Sequence, residues 1–371
     1  MNKFSIKKQI STLYASTVLG RLSLTGAWVA ILAARGYSLA EIGFAETVFH
    51  AASLIFEIPS GVLADVFGRK KMLIMSSLMT LTGNLIMIFS FNFPMICLAF
   101  VFHAMGYNFE SGSGDALAYD SMKSVGVEEK YDRFASNQFV IYRICNGLST
   151  MCAGLALHIG YRLAYSTDIV IGIFQLLMLS SLVEVTIEET KTKEEAISGL
   201  QMIKDELKKC VIESVAFLRT SKSALLIMLC NSLVGAGDIL LLFFLQDKLL
   251  LADMPKWALG FALLFMELGG VLGAKIILLF KNMRYRLVFF ITGALVVSAI
   301  LVEHTGILWL MTLGGFVAAM SDDALQLRST TMLQQLIPSE QRATLISVDS
   351  FMFSMIMIVL SPIAGLFFTV W

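Results

Sequence analysis

The sequence predicts an all-α, polytopic helical membrane protein, and three observations carry that prediction. The chain is 57% hydrophobic with only 15% charged residues, where a soluble domain carries about 25% charged residues, and its mean hydropathy is +0.77. Apolar stretches of spanning length recur from one end to the other. Lysine and arginine gather in alternate loops between those stretches.

A helical span needs about 20 mostly apolar residues. Eleven segments meet that need: 10–34, 40–66, 72–92, 94–121, 133–161, 165–187, 223–250, 257–281, 285–304, 306–336 and 342–371. The first follows Lys3, Lys7 and Lys8 and is too long for the apolar region of a signal peptide. Several exceed the minimum length and contain glycine or polar residues, which suits tilted helices around a pore. Of the 28 Lys and Arg residues, only Arg35, Arg162, Lys248 and Lys256 fall in the loops on one side, and Arg21, Arg143 and Lys275 lie within spans. All the others fall on the opposite side, which the positive-inside rule makes cytoplasmic. The N-terminus is therefore expected inside and Trp371, after an odd number of spans, outside.

The only long connection, 188–222, divides the chain into an N-terminal six-helix bundle at 1–187 and a C-terminal bundle of five at 223–371. Within it Ile197, Leu200, Ile203, Leu207, Val211, Val215 and Leu218 recur at three- and four-residue spacing among Lys and Glu. That pattern predicts an amphipathic helix on the inner membrane surface, or a solvated linker helix. Asp115, Ala116, Leu117 and Ser121 match Asp323, Ala324, Leu325 and Ser329 in order and spacing. Both stretches close the fourth span of their half, so a parallel duplication is expected.

The turn between the second and third spans carries Gly61, Asp65, Gly68, Arg69 and Lys70, followed by Lys71. In this pattern and topology the chain resembles the Major Facilitator Superfamily (MFS) over essentially its whole length. The resemblance implies two pseudo-symmetric halves, usually of six spans each. Eleven spans are read here, and the last of the twelve is the one not found. It also implies that spans one, four, seven and ten line a central cavity, and that Asp65 helps lock the halves together when the outer side is open. Physically, Gly61 would allow a close helix approach, and Gly68 a positive φ at the turn. The lead-in Glu57-x-Pro59-Ser60-Gly61, the stretch 116–121 and the segment 336–344 are similar to bacterial drug/proton-antiporter-like exporters. In the last of these, Ser339 or Glu340 would start the final helix. Two features depart from that group. The Arg-x-x-Gln-Gly pattern of span four is absent at 103–108, and the glycines at Gly147 and Gly154 come without proline.

Ionisable groups deep in a span are costly and mark candidate sites. The substrate or proton candidates are Arg21, Glu46, Glu110, Arg143, Asp238, Glu267, Asp322 and Asp323, with His50 and His103 as proton relays or structural histidines. Glu110 is expected to pair with Arg143 at similar depth, or with Arg21. Asp322 and Asp323 point about 100° apart on a helix, one toward the cavity and one toward a neighbouring helix, or toward Arg328 or Lys275. Asp238 has no cation within a helical turn. An acid in such a cavity can exchange protons at working pH, as proton coupling needs. Asp120 with Arg133 and Asp349 with Arg342 are expected to form salt bridges at the inner gate.

The functional expectation is a secondary transporter that moves a small organic solute by alternating access, through proton-coupled efflux of a cationic or amphiphilic compound. An importer or flippase for a neutral or anionic metabolite or lipid is the alternative, and a non-transporting receptor or scaffold a minor one. The sequence holds no nucleotide-binding Gly-Lys-Ser/Thr motif and no His-rich di-metal pattern, so neither enzyme activity nor a cofactor is expected. The five cysteines show no paired spacing and read as small apolar filler. No nucleic-acid partner is expected; a lipid bilayer, protons and a solute are. The expected state is a monomer in the bacterial plasma membrane.

Overall fold

Apolar residues in long runs leave helices as the way to satisfy every backbone group in lipid. The computed structural model is all-helical among the residues it describes, which are 5–185, 222–280, 282–336 and 342–370. The side chains of Ile58, Val62, Asp65, Val66, 334–336 and 342–347 lie outside that description. The expected amphipathic helix of the 188–222 linker lies outside it too.

The helices are α1 (Ile6–Arg21), α2 (Trp28–Ala34), α3 (Leu39–Phe67), α4 (Arg69–Phe89), α5 (Phe93–Glu110), α6 (Ser113–Lys123) and α7 (Tyr131–Met151). There follow α8 (Ala153–Ile159), α9 (Tyr161–Ser180), α10 (Lys222–Leu251), α11 (Lys256–Ile276), α12 (Tyr285–Glu303), α13 (Leu308–Leu336) and α14 (Arg342–Val370). Local signals set several ends. Asn92 caps α5 by accepting the Met95 N–H at 3.1 Å, with Pro94 in the first turn. Pro59 sits inside α3, where the Ser60 hydroxyl donates to the Glu57 carbonyl at 2.6 Å.

By length and apolarity, seven described helices can cross a membrane, or eight if α7 and α8, bent by 44°, form one span. This count falls below the eleven expected, and the shortfall is specific. Expected span one is split between α1 and α2, and span four between α5 and α6. Span ten, α13, carries Asp322, Asp323 and Arg328. The three segments that fall short are ones that the family resemblance assigns to the cavity wall. A helix that lines a polar cavity is not under pressure to be apolar all round.

The contacts divide the chain into two compact units. One comprises Met1–Gly26, Ala51–Ser149 and Gly160–Lys209, and the other Ala27–His50, Thr150–Ile159 and Cys210–Trp371. In the first, Leu13, Leu73, Leu117, Ala118, Met122, Phe134, Leu179 and Leu182 form a buried cluster. Phe134, 1% exposed, is stacked on Tyr14 at 5.1 Å. In the second, α11 runs close against α13. A Cβ at Gly269 or Gly273 would run into the backbone of Phe316 or Met320. Lipid tails are as apolar as leucine, so helices in membranes join by such close packing of small residues. The same device joins the start of α3 to the end of α14, where Gly43 meets the Ser361 carbonyl and Gly365 meets that of Leu39.

Candidate functional site

Two constellations of polar groups stand out, one within each unit. In the first unit a cavity of about 400 Å³ is lined by Arg21, Tyr107, Glu110, Asp115, Gln138, Tyr142 and Gln175 among others. Arg21 Nη2 donates to Glu110 Oε1 at 3.0 Å, and both side chains are about one-third exposed to the cavity. The guanidinium also lies over the Tyr142 ring, 5.2 Å from its centroid. Each member of the pair is the last residue of its helix. α1 stops at Arg21 and the chain unwinds over 22–27. α5 stops at Glu110, and Gly112 takes φ +70° before α6 begins. A cation at a helix C-terminus is favourable and a carboxylate there is not, so Glu110 depends on Arg21. Broken spans of this kind are where transporters build binding sites.

Glu110 therefore pairs with Arg21 and not with Arg143, the other expected partner. Arg143 is exposed and lies over the Phe139 ring at 5.3 Å.

In the second unit α10, α11 and α13 bring four carboxylates together. Asp238 is buried at 4% exposure, and its Oδ1 has no hydrogen-bond partner among the described residues. The carboxylates of Asp322, Glu267 and Asp323 lie close enough to act on it electrostatically. Asp322 points toward α10, its Oδ1 being 3.1 Å from where a Cβ of Gly235 would stand, and Asp323 toward Gly270 on α11. The two adjacent aspartates thus diverge as the helical angle requires. Arg328 turns to the Met283 carbonyl at 3.0 Å.

Glu46 and His50 form a third, smaller group. His50 Nε2 lies 3.3 Å from Glu46 Oε1, one turn apart on α3, and its Nδ1 is 3.4 Å from Ser354 Oγ on α14. His103 Nε2 meets Asn84 Oδ1 at 3.1 Å.

At the signature turn, Gly68 takes φ +96°, as its place before α4 requires. Lacking a side chain, it cannot cap α4. Glu184 does so instead, its Oε1 accepting the Arg69 N–H at 2.9 Å and its Oε2 the Lys70 N–H at 2.8 Å. A carboxylate at that helix end satisfies two orphan donors and the dipole together. Among the described residues, a Cβ at Gly61 would meet nothing within 4 Å, and Gly61 is exposed on α3. The expected Asp120–Arg133 salt bridge is absent, with Arg133 exposed near the start of α7. The side chains of Asp65 and Arg342 are outside the described set. Asp349 Oδ1 is buried with no hydrogen-bond partner among the described residues.

Sequence reasoning missed two acids that organise backbone, Glu184 and Asp168. Asp168, on α9, accepts hydrogen bonds from the unwound stretch after α1. A lone acid near the end of an apolar run was the only available signal for either.

The sequence profile of the Major Facilitator Superfamily matches residues 10–362. No curated protein matches the chain in sequence. Among solved structures it is similar to a nucleoside transporter, with TM-score 0.75 and 12% identity over 97% of this chain and 96% of that one. It is also similar to a peptide transporter (TM-score 0.69, 14% identity, 97% and 93%) and to a D-xylose–proton symporter (TM-score 0.64, 10% identity, 96% and 88%). At such identities the likeness is one of fold.

Proposed function

Because the chain belongs to the Major Facilitator Superfamily, a family of transporters, we propose that it is a proton-coupled secondary transporter exporting a small cationic or amphiphilic solute. The observation that carries this reading is the buried Asp238, its Oδ1 without a hydrogen-bond partner among the described residues, amid the carboxylates of Asp322, Glu267 and Asp323. Acids this close titrate as a coupled set rather than singly. Charge on Asp238 is balanced by a proton or by a bound cation. A solute cation and protons then compete for one site, which is the thermodynamic basis of antiport. In the N-terminal cavity, the Arg21–Glu110 pair and the rings of Tyr107 and Tyr142 suit the polar and flat parts of such a solute.

In this reading the halves 1–187 and 223–371 move about the gate formed by Gly61, Asp65, Gly68, Arg69 and Lys70, with Asp120, Arg133 and Arg342 at the same inner face. The protein acts as a monomer in the bacterial plasma membrane with its N-terminus in the cytoplasm, as the loop cations favour. A thermal-shift panel of cationic, neutral and anionic compounds tests the reading. Cationic compounds should stabilise the protein, and Asp238→Asn and Asp323→Asn should remove the effect. Stabilisation by anionic compounds alone would overturn it.

One observation favours a second reading, import of a neutral or anionic metabolite. Arg21 presents a guanidinium to a cavity large enough for a small solute, and the similar structures are transporters of nucleosides, peptides and D-xylose. Under that reading Arg21→Gln abolishes binding and Asp238→Asn spares it.

A further inference from the structure

We infer that Asp168 is a positioning residue that keeps span one broken and so aims Arg21 at Glu110. Its side chain is 8% exposed, on a helix that otherwise presents Leu163, Val170, Ile173 and Phe174 outward. A buried carboxylate in such a helix needs compensation, and among the described residues Asp168 forms no ion pair. Four donors from three consecutive residues compensate it. Oδ1 accepts the Leu24 N–H at 2.7 Å. Oδ2 accepts the Ser23 hydroxyl at 2.7 Å, the Thr25 hydroxyl at 2.6 Å and the Thr25 N–H at 3.3 Å.

The matching half of the clamp comes from α7. The Ser149 hydroxyl donates to the Arg21 carbonyl at 2.8 Å and accepts the Ser23 N–H at 2.9 Å. If α1 continued as a helix, the Thr25 N–H would bond to the Arg21 carbonyl, four residues back. That donor is shared between Ser23 Oγ at 3.0 Å, itself held by Asp168, and Asp168 Oδ2 at 3.3 Å, and Ser149 fills that acceptor. Between them they replace the helical bond at the residue whose side chain reaches Glu110. Unwound backbone at membrane depth is tolerated only where such partners satisfy it. Without the carboxylate the stretch is free to rewind, and the direction in which Arg21 leaves the helix end changes. The small cavity of about 220 Å³ beside the break, lined by Leu22, Ser23, Thr25, Leu81, Asp168 and Gln175 among others, gives the rewinding segment room.

The inference deepens the reading of the Arg21–Glu110 cavity as a solute site, but its test needs no solute. The full chain in detergent is unfolded thermally as wild type, Arg21→Gln, Glu110→Gln and the double variant, and the set is repeated in an Asp168→Asn background. The coupling between Arg21 and Glu110, read as the non-additive part of the melting-temperature shifts, should fall to about half or less in that background. If Asp168→Asn does not yield folded protein, the Ser23→Ala/Thr25→Val background removes the two hydroxyl donors and should lower the coupling in the same direction. Undiminished coupling, even with a lower melting temperature overall, would show a merely structural acid and overturn the inference. If the coupling depends on Asp168 while Arg21→Gln leaves transport intact, the inference stands and the solute-site reading falls.

Discussion

Arg21 and Glu110 meet at 3.0 Å, each as the terminal residue of a helix in a span that the sequence presents as continuous. The pair closes two helix breaks on one cavity, and it is only partly buried. Breaking it should therefore cost little stability, about 0.2–1 kcal/mol as for exposed ion pairs, and far more transport. Arg21→Gln and Glu110→Gln should each melt within a few degrees of wild type while lowering solute flux at least tenfold. Proteoliposome flux beside thermal melts checks this. Equal losses in both measurements would reduce the pair to a structural role.

Asp238→Asn should raise the melting temperature. The substitution keeps shape and removes a buried carboxyl whose ionisation both burial and the neighbouring carboxylates oppose. Differential scanning fluorimetry reads the shift, and a fall of several degrees would mean that Asp238 has a stabilising cationic partner.

Gly269→Val and Gly273→Val should each prevent correct assembly of α11 on α13. The added side chain collides with helix backbone, which cannot rotate away. Overpacking of this kind costs about 1–3 kcal/mol or more. Gly114→Ala is the control, because its new Cβ would meet only Leu73 Cδ2 at 3.9 Å. Size-exclusion profiles of tagged variants should separate the two classes.

Glu184→Ala should destabilise the turn before α4 by about 1–2 kcal/mol through loss of the α4 cap. Gly68→Ala should cost about 1–3 kcal/mol, since φ +96° and ψ 151° suit only glycine. A Cβ at Gly68 would also press on Glu184 Oε2 at 2.7 Å. The two effects share one contact, so the double variant should lose less than the sum. Additive losses would show that Glu184 and the turn act independently.

The legible parts of this molecule are those with a period or a charge rule behind them. The helices of α3, α4, α9 to α12 and α14 follow from apolar length alone. The positive φ at Gly68 follows from its place between a helix end and three cations. Asp238, Asp322 and Asp323 were legible as acids in apolar surroundings, and the structure brings them together with Glu267. The breaks at 22–27 and at Gly112 were not legible. Segments 10–34 and 94–121 are apolar enough to read through; the second breaks at Gly112 with a positive φ, and the partners that hold the first unwound, like the cap of α4, lie far away in sequence. Asp168 is 143 residues from Thr25, and Glu184 is 115 residues from Arg69. Capping of one segment's backbone by another segment's side chain leaves no local pattern. Glu110's choice of Arg21 over Arg143 is likewise a matter of where the helices end rather than of depth along them.

The central claim is proton coupling through the Asp238 cluster. Ethidium flux into proteoliposomes under an imposed pH gradient, wild type against Asp238→Asn, tests it most directly. The account predicts gradient-dependent flux in the wild type and its loss, to the level of a collapsed gradient, in the variant. Gradient-driven flux that is the same in both proteins would contradict it.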